Sequence, residues 1–259
     1  MPERFKINRP NRSLPGVYFG NEWLLQESEI DLAIVSGLVV ALRIADQPPY
    51  GILFRVDDYS LVSKVWTLKG RIDKNGVIDP KYKPVTALSN YQLDMHIDWN
   101  RLDNMKFSRG QIDELLDLGF HTILPLKYTS NIPNHLRSIG SNGENISTMR
   151  FKKGGEMHAL VEKIANLDAN AIVGGTSLNK TGQTVYMDSA QVLSDFGGIG
   201  SVIDLFVVSE LNNEVRLDFG AFHPMIEVCF SGIKVIRKGI NFESLISYCR
   251  VNNLKVYES

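Results

Sequence analysis

Length, composition and charge exclude several classes of protein. The chain has 259 residues, and the 44% that are hydrophobic suffice for a sizeable core in one large or two small domains. The 28 Lys and Arg residues nearly balance the 29 Asp and Glu residues, so there is no overall basic field for nucleic acid and no acidic excess for disorder. Residues 1–12 are polar and basic, unlike a signal peptide, and the longest apolar stretch, near 38–42, is too short to span a bilayer. We therefore expect a cytoplasmic protein without a membrane partner.

Helix-like and strand-like segments alternate along the chain. Apolar spacing predicts helices over residues 24–35, Tyr59–Leu68, 111–118 and 157–167. Apolar runs predict strands over residues 38–42, 122–126, 171–173, 202–208, 225–230 and 233–236. This alternation favours the α/β class, with a mixed sheet and helices packed on it. Since no linker composition divides the chain, we expect an N-terminal extension over residues 1–22 and one domain over residues 23–259.

Cysteines and histidines indicate neither a disulfide framework nor a metal site. Cys229 and Cys249 could form at most one bridge and lack metal-ligand spacing, so we interpret both as reduced core thiols. The histidines are scattered without the spacing of a helical or hairpin metal site, which favours surface or core roles. They are His96, His121, His135, His158 and His223.

Residues 176–182, Thr-Ser-Leu-Asn-Lys-Thr-Gly, carry the main indication of a binding site. They follow the apolar run 171–173 and two glycines, Gly174 and Gly175, a pattern typical of a strand that leaves the core. On extended backbone, Ser177 and Asn179 project to the same side, so a hydroxyl and a carboxamide lie side by side. Two neighbouring hydrogen-bonding groups suit a polar ligand.

Residues 174–181, which overlap this segment, nearly match the Gly-x-x-x-x-Gly-Lys-Ser/Thr pattern of a phosphate-binding loop. Asn179 occupies the position of the second glycine, and residues 182–186 do not continue as the helix whose N-terminus would hold the phosphate. Ser177 also lacks the flanking glycines of a hydrolase nucleophile elbow. A degenerate phosphate-loop hydrolase therefore remains an alternative to be tested.

A basic triplet, Lys69-Gly70-Arg71, ends the predicted helix Tyr59–Leu68. Two cations that flank a glycine could converge on a phosphate, a carboxylate or bicarbonate. Cations are also favoured at helix C-termini in general. Taken alone, the triplet is better interpreted as a solvated helix end.

Taken in chain order, these segments resemble the YrdC-type family (YrdC and YciO), the threonylcarbamoyl-adenylate synthases. The resemblance runs from about Glu27 to Gly239. It depends on six motifs, of which the first two are a Gly-Val-Val-like strand, here residues 37–40, and a Pro-Thr-Asp-Thr-x-Tyr-Gly-Leu stretch, matched by Asp46, Tyr50 and Gly51. Lys-x-Arg-Pro with a following Pro-Leu corresponds to Lys69, Arg71 and Pro84-Val85, and Val-Arg-Val-Pro corresponds to Arg150. Thr-Ser-Ala-Asn-x-Ser-Gly corresponds to residues 176–182, and Leu-Arg-x-Gly corresponds to residues 236–239.

The resemblance implies a twisted mixed sheet with a concave, partly basic cleft. It also implies a reaction in which bicarbonate and an amine form a carbamate, which attacks the α-phosphate of ATP and expels pyrophosphate, with Mg²⁺. It further implies a connection to tRNA modification. The implied catalytic and nucleotide-binding residues are Lys69, Arg71, Ser177 and Asn179, with Arg237 on a phosphate. The implied substrate-binding residues are Asp46, Tyr50, Thr176 and Arg150, the last paired with an amino-acid carboxylate, and no metal-ligating residue is implied.

Departures from the family pattern concentrate on the threonine side. Ala45 and Gln47 replace the two threonines of the first motif, and Leu88 stands where a histidine often follows. The late Ser-Thr-Val-Val-Asp strand becomes Pro-Met-Ile-Glu-Val over residues 224–228. Each buried polar group of threonine that is left without a hydrogen-bond partner costs about 1–3 kcal/mol of binding free energy.

Our hypothesis is a carbamoyl-adenylate synthase that accepts threonine or, more in keeping with these changes, another amino acid or amine. The alternative is a non-catalytic module that binds a nucleotide or RNA, and a carbamoyl-acceptor protein is a further candidate partner.

Overall fold

The computed structural model describes residues 16–19, 27–43, 50–72, 75, 83–140, 143–151, 153–178, 202–208, 224–230, 232–239 and 241–258. Their strands form one sheet of 12 strands. The strands are β1 (Gly16–Phe19), β2 (Val40–Arg43), β3 (Tyr50–Arg55), β4 (Val85–Ala87), β5 (His121–Pro125), β6 (Arg137–Gly140), β7 (Gly143–Met149), β8 (Val173–Ser177), β9 (Leu205–Val208), β10 (Met225–Cys229), β11 (Gly232–Arg237) and β12 (Lys255–Glu258). The α-helices within the described residues are α1 (Glu27–Val35), α2 (Tyr59–Leu68), α3 (Asn90–His96), α4 (Trp99–Asn104), α5 (Arg109–Asp117), α6 (Glu156–Leu167) and α7 (Phe242–Val251).

The sheet is mixed, as predicted. Its strand order is β1-β9-β2-β3-β8-β4-β7-β5-β10-β11-β12, and β6 pairs with β7. Strand β8 runs antiparallel to both of its neighbours, β3 and β4. Residues 16–19, which belong to the predicted N-terminal extension, form β1 and pair in parallel with β9. The extension therefore contributes a strand to the sheet.

Apolar side chains fill both faces of the central sheet. Ile52 and Phe54 of β3 face a large cluster that includes residues of α2, α5 and α7, whereas Leu53 faces a smaller cluster built with α1 and α6. Alternate residues of one strand point to opposite faces. Because helices cover both faces here, β2 and β3 consist of nearly continuous apolar residues.

Local signals set the helix boundaries. Helix α2 has the predicted bounds, and its N-terminal N–H groups are capped by the Asp58 carboxylate. Ser108 caps α5 in a capping box with Gln111, so this helix begins before the predicted residue 111. A second capping box, made by Ser89 and Gln92, begins α3, a helix that the apolar spacing did not predict.

The cysteine and histidine predictions are partly confirmed. Cys229 and Cys249 are both free thiols, but only Cys249 is buried, so the prediction of a core position is wrong for Cys229. His96 is a buried histidine, and His223 lies outside the described residues. Within the described part of the chain, no group of three His, Cys, Asp or Glu residues could hold a metal ion.

No helix that the structure describes has both the length and the apolarity to cross a membrane.

Candidate functional site

The candidate site lies where the end of α2 meets the end of β8. Gly70 has a φ of 66°, in the left-handed region that glycine adopts most readily. Its N–H donates to Thr67 O at 3.0 Å, and the Arg71 N–H donates to Trp66 O at 2.8 Å, which together make a Schellman motif. This turn stops the helix and carries Lys69 and Arg71 toward the sheet.

Lys69 is buried against β8. Only 3% of the residue is exposed, and its ammonium Nζ donates to the backbone oxygen of Ser177. Burial, with a further contribution from the charge of Arg71, lowers the pKa of Lys69 to about 7. The interpretation of the triplet as a solvated helix end is therefore wrong for Lys69.

Arg71 contacts the neighbouring residue of the same strand. One of its terminal nitrogens lies 3.3 Å from the hydroxyl oxygen of Thr176, to which it donates. Its Cζ lies 5.3 Å from the centre of the Trp66 ring, a cation–π distance. The fully buried Trp66 packs edge-on against Phe54 of β3, with ring centres 6.3 Å apart. Two cations thus contact consecutive residues of β8, and one of them rests on a rigid aromatic support.

Gly174 and Gly175 bring β8 close to both of its neighbours. A Cβ on Gly175 would lie 2.5 Å from Ile52 O, and one on Gly174 would lie 2.6 Å from Val85 O. The two glycines are therefore required by strand packing. Since residues 173–177 form a paired strand, the phosphate-binding-loop alternative is wrong for this part of its motif.

Strands β3 and β4 bring further residues to the same edge of the sheet. Gly51 pairs with Ser177, so Tyr50 begins β3 beside the end of β8. The β4–β8 register, continued two residues before Val85, places Lys83 level with Ser177. The ammonium of Lys83 donates to the backbone oxygen of Arg137, and burial lowers the pKa of Lys83. The ends of three strands and one helix thus surround Ser177.

The two faces of β8 carry different groups. Thr176 pairs with Ile52 and alternates with the buried Leu178, so its hydroxyl lies on the side of α2. By the same alternation the side chain of Ser177 lies on the opposite face, and its backbone oxygen is the group that contacts Lys69. Asn179 and Asp46 lie outside the described residues, and so does the side chain of Tyr50. Their assignments stay predictions.

Arg150 lies away from this cluster. It follows β7, whose last residue is level with Val173 at the far end of β8, roughly 15 Å along the strands from Ser177. Its guanidinium is buried and forms ion pairs with Asp113 and Asp117 of α5, each at 3.0 Å. It also donates to the side-chain oxygen of Asn90 at 3.2 Å. Its role with an amino-acid carboxylate stays a prediction, whereas the contacts that the structure shows join α3, α5 and β7.

Arg237 also stands apart from β8 in the order of the sheet. It ends β11, which is five strand positions from β8. The residue is exposed, yet burial by surrounding atoms lowers its pKa. Its contact with a phosphate stays a prediction.

Trp66 and Lys83 were not among the predicted site residues. A signal for Trp66 was available, because it lies three residues before Lys69 on the apolar face of a predicted helix. The position of Lys83 depends on the pairing of β4 with β8, which joins residues about ninety apart in sequence. No local pattern indicates that pairing.

Comparison with known proteins finds relatives by structure alone. No protein-family model matches the sequence, and no curated protein does either. YciO from E. coli is similar with a TM-score of 0.61 at 12% identity, over 87% of this chain and 96% of YciO. Sua5 from P. abyssi, complexed with L-threonine, has a TM-score of 0.61 at 13% identity. That match covers 93% of this chain and 62% of Sua5. A phosphate- and nucleotide-bound HypF has a TM-score of 0.56 at 15% identity, over 82% of this chain and 28% of HypF.

These likenesses define the class of fold. The chain is an α/β protein with a single mixed sheet and flanking helices, and its fold is YrdC/Sua5-like. The fold that the sequence motifs implied is therefore confirmed. Identities of 12–15% establish the fold and leave the reaction to be argued from the site.

Proposed function

We propose that the protein is an ATP-dependent carbamoyl-adenylate synthase, which joins bicarbonate and an amine and releases pyrophosphate. One observation carries the proposal: Lys69 and Arg71 contact consecutive residues of β8, in the segment 176–182 that predicted a polar ligand site. Two cations at one strand end suit a substrate set rich in negative charge. The YrdC/Sua5-like fold supports the same assignment.

In this scheme a carbamate oxygen attacks the α-phosphate of ATP and pyrophosphate leaves. The residues hold the anionic groups together and offset their negative charge. Positioning and charge stabilisation are the main sources of catalysis for such a step. Lys69 and Arg71 neutralise the carbamate and the phosphates, while Ser177 and Asn179 hydrogen-bond the nucleotide or the carbamate. Arg237, which lies five strand positions from β8, is proposed to contact a phosphate because its motif matches the family pattern.

Mg²⁺ enters this proposal as a partner of the ATP phosphates. The described groups around Ser177 are cationic, hydroxyl and carbonyl groups, which fit a nucleotide triphosphate better than a bare cation. A magnesium ion that keeps several waters and binds through substrate phosphates is common in nucleotide-dependent enzymes. Its contribution would be to neutralise charge on the leaving pyrophosphate.

We further propose that the amine is not threonine. Leu88, at the position where family members often carry a histidine, is 2% exposed and belongs to the apolar core. An imidazole is therefore absent from that position, and the threonines of the first motif are replaced by Ala45 and Gln47. An amino acid or amine that requires fewer polar partners than threonine fits these changes.

The first test is pyrophosphate release from Mg-ATP, with and without bicarbonate, across a panel of amines and amino acids that includes threonine. We expect release that requires both bicarbonate and an amine, with a higher kcat/KM for a compound other than threonine. Arg71→Gln should reduce the rate by roughly 100-fold or more, because it removes charge stabilisation. Lys64→Gln changes an exposed lysine of the same helix and is its matched control.

The nucleotide products separate this proposal from its alternatives. A phosphate-loop hydrolase releases ADP and phosphate without bicarbonate, whereas carbamoyl-adenylate synthesis yields pyrophosphate and, after hydrolysis of the adenylate, AMP. Binding of ATP without turnover by any amine would favour a nucleotide-binding module, which the likeness to a nucleotide-bound HypF also supports. An RNA-binding module predicts affinity that falls steeply with added salt.

A further inference from the structure

We propose that Lys69 accepts the proton that is released when the substrate amine joins bicarbonate. This inference deepens the proposed function and rests on it, because it assigns a proton acceptor to the first half of the reaction. It goes beyond the role of Lys69 as a cation that holds an anionic group.

The first half of the reaction must dispose of a proton. A primary amine is an ammonium ion near neutral pH, and its nitrogen forms a bond to the bicarbonate carbon only after it loses a proton. The balanced step is R–NH₃⁺ + HCO₃⁻ + Lys69–NH₂ → R–NH–COO⁻ + H₂O + Lys69–NH₃⁺. A C–N bond forms and the C–OH bond of bicarbonate breaks. Of the two protons that the ammonium loses, one leaves in water with the hydroxyl group and the other goes to Lys69.

The position of Lys69 suits this task. The residue is 3% exposed, and its Nζ is held by the backbone oxygen of Ser177. In its neutral form a lysine amine can donate N–H groups to acceptors such as this carbonyl and can also accept a proton. Because Ser177 belongs to the predicted ligand segment 176–182, the Lys69 amine lies beside the place where the anionic substrates are proposed to bind.

The charges around Lys69 favour its neutral form in the described part of the site. Arg71, two residues along the chain, contributes a like charge, and burial lowers the pKa of Lys69 to about 7. From β8 come the Thr176 hydroxyl and the Ser177 backbone oxygen, and from β3 comes Gly51, none of which titrates near neutral pH. Lys83 is level with Ser177 by register, but its ammonium is turned toward β6, where it donates to the backbone oxygen of Arg137. A proton acceptor is most effective when its pKa is close to the working pH.

Proton uptake would also place charge where the second half of the reaction needs it. Before the amine reacts, a neutral Lys69 places no second positive charge beside Arg71. After proton transfer, Lys69 is a cation beside a newly formed carbamate and the ATP phosphates. The positive charge would then be adjacent to the α-phosphate when negative charge develops on it.

The decisive variant is Lys69→Arg, which keeps a cation but cannot be deprotonated in this pH range. For the wild type we expect kcat/KM for the amine to rise with pH along a limb centred near the Lys69 pKa of about 7. In Lys69→Arg that limb should be absent and kcat/KM at low bicarbonate should fall by roughly 10²–10⁴-fold. Binding of ATP, measured by calorimetry, should persist. Lys64→Arg, an exposed lysine of α2, is the matched control and should behave as the wild type.

Rescue and direct titration complete the test. High bicarbonate at high pH forms carbamate in solution, so it should restore much of the activity of Lys69→Arg. The Lys69 amine, followed by side-chain ¹⁵N NMR and assigned by its loss in Lys69→Arg, should titrate near neutrality. Wild-type activity and an unchanged pH limb in Lys69→Arg would overturn this inference and leave the proposed function intact. A wild type that titrates as expected but releases no pyrophosphate with any amine would instead overturn the proposed function, and this inference with it.

Discussion

Individual buried residues show how the same physical effect serves different ends. Burial lowers the pKa of both Lys69 and His96, and in each case the neutral form is favoured. Lys69 stands at the edge of the sheet beside a segment proposed to bind substrate. His96 ends α3 inside the structure, with its Nδ1 3.2 Å from the hydroxyl oxygen of Ser130. We therefore expect the titration of Lys69 to affect activity and that of His96 to affect stability.

The prediction for His96 concerns stability at acid pH. Burial, assisted by the charges of Lys127 and Arg137, lowers the pKa of His96 from 6.5 to about 4. Between these two pH values the unfolded chain binds a proton that the folded chain does not, so the free energy of unfolding falls as the pH falls through this window. The loss from pH 7 to pH 5 should be about 2 kcal/mol. Urea denaturation at the two pH values measures it.

The control for this prediction is a pair of histidine variants. His96→Gln removes the titrating ring, so the difference in stability between pH 7 and pH 5 should shrink by most of that amount. His158→Gln changes a half-buried histidine on α6 and should keep the wild-type difference. An unchanged pH dependence in His96→Gln would show that other groups cause the acid sensitivity.

At the scale of elements, the site depends on how closely β8 approaches its neighbours. Strand β3 begins beside Ser177, and the main chain of β3 lies directly against Gly175. Helix α2 is joined to β3 by the packing of Trp66 on Phe54. Any change that moves β3 away from β8 should therefore also move the support on which Arg71 rests.

Substitution of Gly175 by Ala tests this close approach. The added Cβ would meet the Ile52 backbone oxygen at 2.5 Å, so the strands must separate, and the free energy of unfolding should fall by about 1–3 kcal/mol. ATP binding should weaken as well, because Thr176 and Ser177 move with β8. Gly110→Ala is the control, since a Cβ there meets nothing within 4 Å and the residue lies in α5. Because Gly110 lies in the first turn of α5, alanine there should stabilise the protein by about 0.5 kcal/mol or less. Equal stability of the two variants would contradict the requirement for glycine in β8.

For the whole molecule, the sequence predicted the elements that have clear local signals. Tyr59–Leu68 has apolar residues at helical spacing and an N-cap, so its bounds were predicted correctly. Strands β4 and β6, with three and four residues, are too short to show a clear period. Strand β7 has seven residues, but its sequence is mostly polar and does not alternate with apolar residues. Helices α3 and α4 were missed because each spans fewer than two full turns.

The candidate site was predictable in its residue types but not in its geometry. The order of motifs along the chain identified Lys69, Arg71 and Thr176, which the structure brings together. The burial of Lys69 depends on β8, whose Ser177 lies 108 residues further along the chain, so no local pattern could reveal it. Arg150 matched a motif equally well, yet its contacts are with aspartates of α5. Contacts between distant segments decide which matched residues share a site.

The folded unit includes β1, which precedes the predicted domain boundary at residue 23. Strand β1 pairs only with β9 among the described strands, and β9 in turn pairs with β2. Deletion of residues 1–22 removes β1 and leaves β9 at the edge of the sheet, where its unpaired backbone groups invite self-association. We expect this variant to lose about 1–3 kcal/mol of stability, from a few backbone hydrogen bonds, and to associate with itself in light scattering. Deletion of residues 1–15 retains β1 and is the matched control. Equal stability and monodispersity of the two variants would show that residues 23–259 fold without β1, as the predicted domain boundary requires.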